Sequence, residues 1–98
     1  MNNGYDNQPL YTSASVQVAT VGTSAAALPA TGGGFVKLRA RPGNAANITI
    51  GSSSSVTDGN GWTLEPGDEL GPIVLENLNQ LYAISGTAGQ KLEILIQS

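Results

Sequence analysis

Glycine and proline interrupt this chain at short intervals, at Gly22, Pro29, Gly32, Gly43, Gly51, Gly59, Pro66, Gly71 and Gly86, and between these stops apolar residues alternate with polar ones rather than recurring at helical spacing. A helix needs an uninterrupted stretch with a period near 3.6, whereas a strand needs only a few residues with a period of two. The chain is therefore confined to short strands joined by turns. Its 98 residues suffice for one core and little more.

From Ala14 onward Val16 and Val18 alternate with Ser15, Gln17 and Ala19, the signature of a half-buried strand with the valines on its apolar face. Residues 22–34 read as a loop with Leu28 tucked into the core, because Pro29 and the glycines leave room for little more than one helical turn over Ala25, Ala26 and Ala27. The clearest strand runs from Phe35 to Arg41, with Val36, Leu38 and Ala40 on one face and Lys37, Arg39 and Arg41 on the other. Pro42-Gly43-Asn44 turns the chain into a strand at Ile48 and Ile50, with Asn47 and Thr49 expected outward.

Ser52 to Ser55 reads as an exposed connection, and Asp58-Gly59-Asn60-Gly61 is a strong hairpin signal because these residues tolerate positive φ. Pro66-Gly67 predicts a type II turn with Gly at its third position. The strand over residues 68–75 is interrupted by Gly71-Pro72, which makes it an edge strand or gives it a bulge. Residues 81–85 and 91–97 complete the set, with Leu92, Ile94 and Ile96 on one face. Some seven strands at spacings near ten residues predict an all-β fold, a small antiparallel β-sandwich of the jelly-roll kind over residues 14–98. Residues 1–13 are polar and aperiodic apart from Tyr5, Leu10 and Tyr11. They read as an extended N-terminal arm docked on a neighbouring chain, with those residues as anchors, since aromatic side chains supply much contact area for little entropy.

Chemistry is a poor fit to these residues. With no His and no Cys, a Ser-His nucleophile and a soft-metal site are excluded, and neither a cofactor nor an enzymatic role is expected. Glu65, Asp68 and Glu69 flank the Pro66-Gly67 turn without the spacing of a calcium loop, so they read as a solvated turn. Gly32-Gly33-Gly34 precedes a strand and lacks the helix N-terminus of a phosphate cradle. Asn47-Ile48-Thr49 is a chance sequon. The net charge of −3 and the absence of interleaved aromatics argue against nucleic acid, and no apolar run approaches a membrane span. The opening residues carry neither the basic start nor the apolar middle of a secretory signal, so synthesis in a cytoplasm is the expectation.

Three of the four positive charges, Lys37, Arg39 and Arg41, form a stripe on one strand face. The expected partners are Glu93, Glu76 or Asp68 in the same sheet, at about 0.2–1 kcal/mol per pair, and the alternative is an acidic patch on a partner subunit. Trp62, the sole Trp, is expected in the core. Were it exposed beside Tyr82, the two would make a sugar platform.

The runs Leu28-Pro29, Val36-Lys37-Leu38-Arg39-Ala40, Asn47-Ile48-Thr49-Ile50-Gly51, Asn60-Gly61-Trp62-Thr63-Leu64-Glu65-Pro66-Gly67-Asp68 and Leu81-Tyr82-Ala83-Ile84 resemble those of small β-sandwich virion structural proteins of tailed bacteriophages, of the head decoration or cement type. The resemblance spans about residues 16–96 and is one of strands and turns. It implies a protein made in the bacterial host cytoplasm that binds the outer capsid surface, contacts the major capsid protein and assembles as a homotrimer. The alternative it leaves open is a tail, neck or baseplate component that binds a receptor or glycan through Trp62 and Tyr82.

Overall fold

The computed structural model describes residues 14–98, and Tyr5, Leu10 and Tyr11 lie outside them. The described chain is all-β, in two four-stranded antiparallel sheets. The strands are β1 (Ala14–Val21), β2 (Ala26–Ala27), β3 (Gly34–Ala40), β4 (Ile48–Gly51), β5 (Trp62–Leu64), β6 (Glu69–Leu75), β7 (Tyr82–Ser85) and β8 (Gln90–Gln97). Sheet A has the order β1-β8-β3-β6 and sheet B the order β2-β7-β4-β5.

That order has a simple origin. β1 pairs with β8, β2 with β7, β3 with β6 and β4 with β5, so the chain is one long ribbon folded back on itself at the β4–β5 connection. Rolling the ribbon up adds the β3–β8 and β4–β7 ladders and closes a jelly roll. The expected sandwich is thus the observed one, with eight strands where seven or so were foreseen, the additional one being the two-residue β2.

The sheets bury their facing side chains against each other. Val36, Leu38 and Ala40 of β3 and Leu92, Ile94 and Ile96 of β8 meet Ile48 and Ile50 of β4, Leu64 of β5 and Ala83 of β7 in one core. Leu28 enters it from the loop after β2, as expected, and Leu78 enters it from a 3-10 turn at Leu78–Gln80 capped by Asn77. Filling the core at these positions is what fixes the pleat of each strand and therefore what faces outward.

Three expectations are corrected. Val16 and Val18 are 74% and 48% exposed, while Ala19 and Val21 of the same strand face the core, so β1 is flipped relative to its apolar alternation. The register explains it: Val16 and Val18 lie opposite Leu95 and Glu93, on the side of β8 away from Leu92, Ile94 and Ile96. Thr49 is fully buried rather than outward, because the β4–β5 connection folds over it and the Gly59 N–H donates to its Oγ1 at 3.0 Å. A side chain on Gly61 would strike the Ile50 carbonyl and Thr49 Cγ2, so the cover closes only over glycine. Trp62 is 61% exposed rather than in the core: it shares the inner side of β5 with Leu64, but it opens the edge strand of sheet B, where the core stops short of it.

The turns behave as their residues demand. Gly67 has φ +93° at the third position of the 65–68 turn, closed by Asp68 N–H donating to Glu65 O at 2.8 Å. β6 is an edge strand with a bulge: Val36 pairs with Ile73 but Leu38 with Leu70, so the Gly71-Pro72 segment inserts one extra residue.

Candidate functional site

The outer face of sheet A is built by four strands in register. Val16, Leu95 and Lys37 form one cross-strand row, and Val18, Glu93, Arg39 and Glu69 form the next. Both rows, together with Arg41, line an open trough of about 510 Å³.

Its charges are tied to one another. Glu93 lies between two arginines, with Oε1 accepting from Arg39 Nε at 2.6 Å and Oε2 from Arg41 Nε at 3.1 Å. Lys37 Nζ is 3.0 Å from Glu69 Oε1. Every cation of the stripe is therefore ion-paired inside its own sheet, with two carboxylates shared among three positive groups. Glu93 is the partner the sequence suggested, and Glu69 takes the place expected for Glu76 or Asp68. The hydrogen bonds from Arg39, and secondarily from Arg41, hold the Glu93 carboxyl below the usual carboxylate range.

What the sequence did not reveal is the apolar part of this face. Val16 and Val18 are exposed on β1, and Val74, at 71% exposure, stands on the opposite edge strand β6. The only hint in the sequence is Val21, the apolar residue that closes β1 on the odd-numbered face.

The other singled-out residues stand apart. Trp62 lies opposite Ile50, whose side chain faces the core, whereas Tyr82 lies opposite Gly51, one residue further along β4. Side chains of adjacent residues in a strand point to opposite faces, so Trp62 and Tyr82 do not share one and no two-ring platform forms. Asp68, in the turn carboxylate cluster, accepts from the Glu65 N–H through Oδ2 at 3.0 Å, and Glu69 is paired with Lys37. Among the described residues no group of three or more acidic side chains gathers to hold a metal.

Fold and face together define a jelly-roll module that carries, among the described residues, an outer sheet face of exposed valines around a paired charge cluster. No family model, no curated protein and no solved structure matches the chain.

Proposed function

We propose that this chain is a structural protein of a tailed-phage virion: a decoration or cement protein that covers the outer surface of the assembled head and stabilises contacts between major capsid subunits. The observation that carries the reading is the outer face of sheet A, where Val16, Val18 and Val74 are exposed beside charges that already satisfy one another. A partner lying on that face buries apolar surface without stripping a lone charge of water. The sequence supports the same role, with no His and no Cys and with strand and turn runs like those of phage cement proteins. The jelly roll is itself shared by capsid and lectin domains, so the surface and not the fold has to choose between jobs. Binding only to the assembled shell would stabilise it by mass action.

The test is cosedimentation of the purified chain with purified expanded heads. Saturable binding at a copy number comparable to that of the major capsid protein, with heads that then resist heating better, is the expected result. Absence of binding to heads would sink the reading. A second reading rests on Trp62, whose exposure on an edge strand suits a tail or baseplate protein that stacks a sugar ring. Saturable glycan binding lost in Trp62→Ala, with only a few copies per particle, would favour it.

A further inference from the structure

The two sheets have four edge strands among the described residues, and three are blunted. In sheet B, β2 is two residues long and β5 is three. In sheet A, β6 carries the bulge and Pro72, which lacks an N–H. Short edges, bulges, prolines and charges are the usual means by which a sheet avoids pairing with another chain.

The fourth edge has none of these. β1 runs eight residues, Ala14–Val21, without Gly, Pro or a charged side chain, and among the described residues it pairs on one side only, with β8. No Asp, Glu, Lys or Arg occurs between Asp6 and Lys37 in the whole sequence. The nearest cation is Lys91, one strand in, and its Nζ is held by Thr20 Oγ1 at 2.7 Å near the end of β1. Behind the edge the gap between the sheets is lined by Ala19, Ala26, Ala27, Leu28 and Pro29, which are likewise uncharged.

We propose that β1 pairs antiparallel with β1 of a second copy of this chain, about a two-fold axis perpendicular to sheet A, to make one continuous eight-stranded sheet. Such an axis keeps outer face with outer face, so opposed residues must have the same parity. Centring the pair on Gln17 sets Val16 of each copy opposite Val18 of the other, giving two cross-strand valine pairs from side chains that are exposed in the single chain. No charged side chain on β1 has to be brought against the second copy or stripped of water when the strands pair. The pair uses up β1 in both copies, and the other edges are blunted, so growth stops at two. A three-fold assembly cannot make this contact, because β1–β1 pairing is isologous. The pairing needs no capsid, and its failure would leave head binding untouched.

The experiment measures mass in solution by light scattering on the full chain and on Val16→Lys/Val18→Lys. The wild type is expected at twice the 10.0 kDa chain mass. The variant, whose new charges sit on exposed positions, is expected to dissociate at least about tenfold more readily, since two apolar pairs become two like-charge pairs. Register is read by disulfide formation in a chain that has no native Cys. Val16→Cys mixed with Val18→Cys should cross-link faster than either alone, because each faces the other across the axis. A wild-type monomer at every concentration up to the solubility limit, a trimer, an open series of larger species, or a dimer as tight in the lysine variant would each overturn the proposal. Should the lysine variant fail to fold, cross-linking without preference for the mixture would do the same.

Discussion

Asn44 and Lys91 exchange two hydrogen bonds: Asn44 Nδ2 donates to the Lys91 carbonyl at 2.8 Å, and the Lys91 N–H donates to Asn44 Oδ1 at 2.8 Å. The side-chain amide thus imitates the backbone of a neighbouring strand and continues the β3–β8 ladder past Ala40, where Arg41 N–H also reaches the Lys91 carbonyl at 3.0 Å. Next to it, Gln90 Oε1 accepts from the Ala45 and Ala46 N–H groups at 2.8 and 3.0 Å. Two amide side chains on neighbouring segments therefore hold the turn that carries the chain from sheet A to sheet B. Asn44→Ala strands one half-buried donor and weakens this anchor. A loss of about 1–2 kcal/mol is expected by urea denaturation, with Asn44→Asp, which keeps the acceptor only, in between.

Glu93 makes stability depend on pH in a stated direction. Its carboxyl titrates below the ordinary range in the folded chain, so as pH falls the unfolded chain takes up the proton first. The contribution is therefore complete above the ordinary glutamate range and is lost as pH falls through the lower folded value. Glu93→Gln should flatten that acid limb in denaturation curves measured across pH, and should also lower stability at neutral pH by leaving Arg39 and Arg41 facing each other. Arg39 supplies the stronger hydrogen bond, so Arg39→Gln should remove more of the acid slope than Arg41→Gln.

Thr49 tests the cover over β4. Its hydroxyl is fully buried and takes the Gly59 N–H, so Thr49→Val leaves that donor without a partner at nearly constant volume. A cost of about 1–3 kcal/mol is expected for the valine. Thr49→Ser keeps the acceptor and loses only a methyl group, for which about 1 kcal/mol is expected. If valine proved the milder change, the Gly59 contact would contribute nothing.

Strand β3 is legible in the sequence because its two faces differ in kind: Val36, Leu38 and Ala40 against Lys37, Arg39 and Arg41. β8 is legible for the same reason. β1 is not, because both its faces carry small or uncharged residues and its orientation is set by β8, more than seventy residues away in the chain. Thr49 escapes the alternation rule because that rule assumes an open outer face, and here the connection that follows β4 folds back and closes it. In the candidate site the cationic stripe and Glu93 could be foreseen. The Lys37–Glu69 pair could not, because the bulge in β6 shifts which acid comes level with β3. The exposed valines followed from the same unseen orientation of β1.

Trp62 separates the core from the surface most sharply. In a small sandwich a lone tryptophan is ordinarily the largest core side chain, and truncating a core Trp to Ala costs about 3–5 kcal/mol. Here it stands 61% exposed on an edge strand, while Leu38 of β3 has no solvent contact. Most of the Trp62 ring therefore gives up little on truncation, and a cost below about 1 kcal/mol is expected for Trp62→Ala. Leu38→Ala opens a cavity between the sheets and is expected to cost about 2–5 kcal/mol. Chemical denaturation of the two variants checks the order, and Trp62 fluorescence in the native wild type should already resemble that of a solvated indole. An energetic ranking with Trp62 above Leu38 would mean that β5 packs inward and the jelly roll is closed by a larger core than the one described, which would also take away the ring that the glycan-binding reading requires.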